Sequence, residues 1–168
     1  YEPMVRAIEG IGARVRRFAR APADGFRIDP DRVARAMTPR TRVVSITNLH
    51  NPSGAFADEA TIRACAEIAE KSGAYLLVNE VYAPMHEFCD SQGTWGKTAK
   101  KLGDNVIAVA SLTKCWGLGV ERIGWMLAPR DVIARSEDVI NATLGLFASS
   151  HADGAVQAFE HIVALSDR

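Results

Sequence analysis

Two short runs of the sequence are apolar at every position, and they constrain the fold more than any other feature. The run "AYLLV" covers residues 74–78, and "VIAVA" covers residues 106–110. A strand that faces solvent on one side alternates apolar and polar residues, whereas a strand covered on both faces is apolar throughout. The two runs therefore predict central strands of a largely parallel sheet.

A helical pattern lies between the predicted strands 42–47 and 74–79. Four small or apolar residues recur there at helical spacing, before a closing Gly73: Ile62, Cys65, Ala66 and Ala69. Strand–helix–strand alternation implies right-handed crossovers between parallel strands. The predicted fold class is α/β, a mostly parallel sheet with helices on both faces.

Further elements are predicted on either side of this unit. Asp29 is placed to cap a helix that starts at Pro30, and Pro39 is expected to end it. The arginine-rich stretch 13–19 predicts an edge strand, and 122–128 predicts a last strand. Additional helices are expected at three places: near 94–103, over 129–146 and over 152–165.

Composition excludes several classes of function. Lys+Arg and Asp+Glu number 20 each, so the net charge of zero gives no case for nucleic-acid binding. The cysteines Cys65, Cys89 and Cys115 form no C-x-x-C pair, which indicates reduced thiols in a cytoplasmic protein. The histidines show no ligand spacing, so no metal is expected. No apolar run approaches ~18 residues, so no membrane span is expected.

Polar residues follow the carboxyl ends of three predicted strands, where ligands bind in open α/β sheets. They form three groups: Asn48, His50 and Asn51; Asn79, Glu80 and Tyr82; Ser111, Thr113 and Lys114. Each residue alone is ordinary turn or loop chemistry. As a set, they suit an anionic cofactor that carries an aldehyde. Lys114 can form a Schiff base, and Ser111 with Arg122 can hold a phosphate.

Nucleotide-binding motifs do not account for the glycines of this region. "SLTKCWGLGVERIG" contains neither G-x-G-x-x-G nor G-x-x-x-x-G-K-[ST], and its lysine precedes the glycines. Readings as a nucleoside triphosphatase or a dinucleotide-binding protein are therefore set aside.

Four motifs in a fixed order resemble the large domain of pyridoxal-phosphate-dependent aminotransferases of class I/II, which have the aspartate aminotransferase fold type. They are "HNPSG" (50–54), "NEVY" (79–82), "SLTK" (111–114) and "ERIGW" (121–125). Each motif is weak alone, and the ordered set is specific. The resemblance extends over essentially the whole chain and implies that residues 1–168 are the central part of a cofactor-binding large domain. The family's N-terminal segment and C-terminal small domain are expected to be absent, so we expect this stretch alone to be inactive.

The resemblance implies a role for each matching residue. The cofactor is pyridoxal 5'-phosphate (PLP), and Lys114 is the lysine that forms the Schiff base and shuttles the substrate proton. Tyr82 and Asn51 are donors to the cofactor's phenolate oxygen. Ser111 and Arg122 are phosphate ligands. Asn79 lies against the pyridine nitrogen, where the family has an aspartate.

The implied activity is transfer of an amino group between an amino acid and a 2-oxo acid, in a homodimer. Two departures from the family pattern are Val120, where a glycine is usual, and Asn79. An amide has no charge with which to raise the pKa of the pyridine nitrogen, so slower proton transfer is expected. Glu80 cannot replace it, because successive strand residues face opposite sides.

Three alternatives stay open. A β-lyase, decarboxylase or cyclase would use the same cofactor and fold for another reaction. A degenerate, non-catalytic homologue is a second alternative, because of Asn79. A third is the cofactor domain of a DNA-binding regulator, which the zero net charge disfavours.

Overall fold

The computed structural model describes residues 2–85 and 98–144. Within them, a four-stranded sheet has the order β1-β2-β3-β4. Its strands are Val43–Thr47 (β1), Tyr75–Asn79 (β2), Val106–Ser111 (β3) and Gly124–Leu127 (β4). The first three strands are parallel, and β4 is antiparallel to β3. The predicted α/β class and mostly parallel sheet are confirmed.

Helices precede and follow these strands. The α-helices are Glu2–Gly10 (α1), Pro30–Ala36 (α2), Glu59–Glu70 (α3) and Arg130–Leu144 (α4). Single turns of 3-10 helix span Pro22–Asp24, Ala83–Met85, Ala99–Leu102 and Gly119–Glu121. Across the two described ranges, no helix combines the length and the apolar character that a membrane crossing requires. The sequence patterns did not predict α1.

The predicted start of α2 is confirmed by its cap. The Asp29 side chain accepts a hydrogen bond from the backbone N–H of Asp31 at 2.9 Å, and Pro30 is the first residue of α2. This helix ends at Ala36, earlier than Pro39, because Met37 already has an extended backbone. Just beyond the C-terminal end of α3, Gly73 has a φ of +63°, a left-handed conformation that glycine adopts without strain.

The core lies between α3 and one face of the sheet. The predicted apolar stripe of α3 is fully buried there: Ile62, Cys65, Ala66 and Ala69. Leu76 and Val78 of β2 are both 0% exposed, whereas Tyr75 and Leu77 are half-buried on the opposite face. On that second face, the Tyr75 hydroxyl donates to Asp131 Oδ2 of α4 at 3.0 Å. Among the described residues, α3 therefore covers the first face, whereas α4 reaches the second face at this hydrogen bond.

Two predicted elements are wrong in part. Residues 13–19 form no strand, because no strand of the described sheet lies beside them to complete a ladder. Arg17 of this stretch instead pairs with Glu2 of α1 at 3.1 Å. Of the helix expected near 94–103, only the turn Ala99–Leu102 is present among the described residues. Residues 94–97, the end of the 129–146 helix and the whole 152–165 helix lie outside the described residues.

Candidate functional site

Strand register brings the predicted site residues to one edge of the sheet. Asn79, the last residue of β2, lies beside Thr47 of β1 and Val109 of β3. Ser111 ends β3 and pairs with Gly124, the first residue of the antiparallel β4. The loop before β4 therefore lies at the edge where the three parallel strands end. This loop contains Arg122.

Asn51 and Tyr82 meet across this edge. The Nδ2 of Asn51 donates to the Tyr82 hydroxyl oxygen at 3.3 Å, although 31 residues separate them in sequence. The Asn51 loop is held by its neighbours: His50 Nδ1 lies 2.7 Å from Ser53 Oγ, and the Gly54 N–H donates to the His50 carbonyl. Two side chains that can donate to a ligand oxygen are thus placed side by side.

Lys114 lies on a loop that is tied to both neighbouring segments. The Leu112 N–H donates to the Ile123 carbonyl at 3.1 Å, and the Leu118 N–H closes the loop by donating to the Leu112 carbonyl. The Cys115 thiol donates to the Val81 carbonyl at 3.1 Å. Lys114 itself is exposed, and no residue within the described ranges forms a hydrogen bond or ion pair with its ammonium group.

Ser111 and Arg122 lie on either side of the β3–β4 connection. The Ser111 Oγ accepts the Thr113 N–H at 3.4 Å. Arg122 is exposed and has a φ of +53°, which turns the chain sharply into β4. A Cβ at Gly124 would lie 3.0 Å from the Ala110 carbonyl oxygen, so a glycine is needed for β4 to approach β3 this closely.

Asn79 and Glu80 are adjacent but serve opposite faces of the sheet. Asn79 Oδ1 accepts the Val81 N–H at 3.0 Å. The Glu80 carboxylate accepts the Ala99 N–H at 2.6 Å and the Thr98 hydroxyl at 2.9 Å. Burial raises the pKa of Glu80, and these two hydrogen bonds partly oppose that shift. Glu80 and Asn79 thus have different hydrogen-bond partners, and the expectation that Glu80 cannot replace Asn79 stays a prediction.

Two residues of the first polar group, Asn48 and His50, make structural contacts that the sequence did not predict. Asn48 is 7% exposed, and both ends of its amide bond Ala57: Nδ2 to the carbonyl and Oδ1 to the N–H, each at 3.0 Å. His50 stacks on Phe26 with ring centroids 5.9 Å apart. Burial, and then the charge of Arg20, lower the pKa of His50. Both residues hold the loop of Asn51 in place.

The predicted residues are not all in mutual contact. Asn51 and Tyr82 are hydrogen-bonded, and Ser111 is joined to the Arg122 loop through strand pairing. Within the described part of the chain, no hydrogen bond links Lys114 to any of these side chains. The edge is therefore a set of converging loops with an exposed amine and an exposed guanidinium.

Comparison with known proteins identifies the family. The model of the family "Aminotransferase class I and II" matches residues 1–161. The arginine–pyruvate transaminase AruH of Pseudomonas aeruginosa is 30% identical over 142 residues, which are 82% of this chain and 36% of that protein. A probable aspartate/prephenate aminotransferase of Thermus aquaticus is 32% identical over 139 residues, covering 83% of this chain and 34% of that protein.

Solved structures agree with these relatives. A tetra mutant of the Thermus thermophilus aspartate aminotransferase has a TM-score of 0.74 and 27% identity, covering 86% of this chain and 38% of that one. A PLP-dependent aminotransferase from Streptococcus suis has a TM-score of 0.74 and 29% identity, covering 85% of this chain and 37% of that one.

This chain belongs to the class I and II aminotransferase family. Members of the family use pyridoxal phosphate as their cofactor. The chain spans about a third of the length of the two curated relatives, 36% and 34% respectively.

Proposed function

We propose that this chain forms the cofactor-binding part of a PLP-dependent aminotransferase, which transfers an amino group between an amino acid and a 2-oxo acid. The observation that carries the proposal is the hydrogen bond of 3.3 Å between Asn51 and Tyr82. It joins the loops after β1 and β2 at the edge where Lys114 emerges. Family membership and the named activities of the relatives support the same reaction.

The side chains at the edge fit the chemistry of the cofactor. Its phosphate is an anion, and the exposed Arg122 offers a guanidinium while Ser111 offers a hydroxyl. Its phenolate oxygen is an acceptor, and Asn51 and Tyr82 supply paired donors. Its aldehyde requires an amine, and the exposed Lys114 is available. When bound, the cofactor supplies an electron-withdrawing ring that makes the substrate Cα–H acidic.

The proposal gives each of these residues a defined role. Lys114 Nζ would hold the cofactor by its aldehyde carbon and, once released, would take the proton from the substrate Cα. Asn51 Nδ2 and the Tyr82 hydroxyl hold the phenolate oxygen. Ser111 and Arg122 anchor the phosphate and so orient the ring, while Asn79 faces the ring nitrogen.

We also propose that residues 1–168 are the central part of the large domain of a longer homodimeric aminotransferase. Coverage of 36% of the transaminase AruH supports this, since the match lies within a longer chain. A cytoplasmic location is consistent with the free thiols of Cys65 and Cys115. The substrates are proposed only as a class, an amino acid and a 2-oxo acid.

Absorbance tests the attachment at Lys114. Addition of PLP to the purified protein should produce the visible band of a lysine-bound cofactor, and Lys114→Ala should abolish it. Lys101→Ala is the matched control, because Lys101 is also exposed but lies on the 3-10 turn Ala99–Leu102. Absence of the band, or its survival in Lys114→Ala, would falsify the proposal.

Product analysis separates transfer from the other reactions of this fold. A transaminase converts an added 2-oxo acid into the matching amino acid, whereas a β-lyase releases pyruvate and ammonia. In the longer protein that we propose, amino transfer without net ammonia release is expected. A cofactor band without either reaction would indicate a binding homologue without catalysis.

A further inference from the structure

The amide of Asn79 has one orientation in this structure. Its Oδ1 accepts the backbone N–H of Val81 at 3.0 Å. The oxygen and nitrogen of an amide are assigned from their hydrogen-bond partners. A backbone N–H can only donate, so the atom that faces Val81 is the oxygen. The short turn after β2 therefore fixes which end of the amide remains for a ligand.

The end that remains is the NH2 group. Among the described residues, no hydrogen bond is donated by Asn79 Nδ2. An amide nitrogen has two N–H donors and no lone pair with which to accept. Asn79 is half-buried at the last position of β2, on the same face as Thr47 and Val109. A ligand at this edge therefore meets a donor.

We propose that Asn79 donates a hydrogen bond from Nδ2 to the ring nitrogen of the cofactor and so keeps that nitrogen unprotonated. This inference rests on the proposed function, which places the pyridine ring against Asn79. A protonated ring nitrogen would present its own N–H to the NH2 group, and two donors cannot bond each other. An unprotonated nitrogen has a lone pair that accepts the bond.

Among the described residues, no carboxylate near Asn79 favours the protonated ring nitrogen instead. Glu80 is the adjacent acid, and both of its oxygens are engaged on the opposite face, with Thr98 and Ala99. The strand neighbours of Asn79, Thr47 and Val109, are uncharged. An opposite charge beside the nitrogen would favour the protonated form. The described residues around Asn79 offer none.

An unprotonated ring withdraws electrons less strongly than a pyridinium ring. Proton removal from the substrate Cα by Lys114 is therefore expected to be slower than with a carboxylate at position 79. Asn79→Asp is an informative variant for this reason. One Asp oxygen can still accept the Val81 N–H, while the other replaces the NH2 group by a negatively charged acceptor.

The test is a nitrogen NMR measurement on the protein loaded with PLP that carries ¹⁵N in its ring. Free PLP, titrated through its own ring ionisation, provides the shifts of the two forms. The wild-type protein is expected at the unprotonated position near neutral pH. Asn79→Asp is expected to move the resonance to the pyridinium position. Ser45→Asp is the control, since it adds the same charge to an exposed position of β1, two residues before Thr47.

The outcomes separate this inference from the proposed function. A pyridinium shift in the wild-type protein, or equal shifts in wild type and Asn79→Asp, overturns the role of Asn79 while the lysine-bound band stays in place. An equal displacement by Ser45→Asp also overturns it, because the effect would then be one of general charge. Failure of the band itself overturns the proposed function, and this inference with it.

Discussion

The carboxyl ends of β1 and β2 each bear an asparagine, and the two amides are used in different ways. Asn48 follows β1, is buried, and bonds both the N–H and the carbonyl of Ala57. Asn79 ends β2, is half-buried, and uses only its oxygen, toward Val81. Their backbones are joined directly, since the Asn48 N–H donates to the Asn79 carbonyl at 2.9 Å. The asparagine after β1 therefore links two segments of the chain, whereas the asparagine that ends β2 has an NH2 group that bonds none of the described residues.

The largest expected effect on stability appears when the same substitution is made separately at each asparagine and the two variants are compared. Asn48→Asp replaces the NH2 group that bonds the Ala57 carbonyl by an oxygen, inside a buried site. We expect a loss of about 3 kcal/mol in the free energy of unfolding, because a buried charge and an unpaired carbonyl are both costly. Asn79→Asp keeps its bond to Val81, and we expect a change within about 0.5 kcal/mol. Urea unfolding of both variants measures the difference; equal losses would show that the two ends are alike.

Glu80 provides the second test, because both of its carboxylate oxygens accept hydrogen bonds from another segment of the chain. Glu80→Ala removes the acceptor of the Ala99 N–H and the Thr98 hydroxyl, and we expect a loss of about 2 kcal/mol. Glu80→Gln can bond both partners, so its loss is expected to be smaller. Similar losses in Ala and Gln would contradict the role of these two hydrogen bonds.

The pH dependence of Glu80 has a definite sign. Burial raises the pKa of Glu80 above its ordinary value of 4.5. A raised pKa in the folded state means that the stabilising contribution is complete below pH 4.5 and declines as the pH rises through the shifted pKa. The free energy of unfolding of wild type, relative to Glu80→Gln, should therefore fall over that interval. A rise with pH would contradict the buried carboxylate.

Cys115 tests how the Lys114 loop depends on the β2 end. Cys115→Ser retains a donor to the Val81 carbonyl, whereas Cys115→Ala does not. We expect Ala to cost about 1 kcal/mol or less in the free energy of unfolding, and Ser to cost less than Ala. Cofactor affinity should follow the same order, as measured by titration of the visible band. A reversed order would show that the thiol packs without tethering the loop.

A small change in stability is also expected where the loops after β1 and β2 meet. Tyr82→Phe removes the hydroxyl that accepts from Asn51. The bond is exposed and 3.3 Å long, so the free energy of unfolding should change by only about 0.5 kcal/mol. Cofactor affinity should fall more clearly, because a donor to the phenolate oxygen is lost. A variant that binds PLP as wild type does would contradict this role of Tyr82.

The strands and the edge were predictable from the sequence because their signals are local. The apolar runs of β2 and β3 and the stripe of α3 were correctly interpreted, since burial leaves a direct mark on composition. The polar residues after each strand followed from the rule that ligands bind at the carboxyl edge. The roles of Asn79 and Lys114 came from the family resemblance and stay proposals.

The features that the sequence did not predict share a physical cause: each depends on neighbours in the tertiary structure. The stretch 13–19 has strand-like residues, but a strand exists only beside a paired neighbour, and none of the described strands supplies one. The ties of Asn48 to Ala57 and of Cys115 to Val81 join segments by contacts that leave no periodic pattern. Likewise, the orientation of the Asn79 amide depends on one backbone N–H and cannot be read from residue types.

The most direct test of the account is to locate the attached cofactor. The protein is incubated with PLP, reduced with borohydride to make the lysine linkage permanent, and digested for mass spectrometry. We expect the phosphopyridoxyl group on Lys114, with little on the other lysines: Lys71, Lys97, Lys100 and Lys101. A label absent from Lys114, or spread evenly over the lysines, would contradict the claim that this edge of the sheet is a cofactor site.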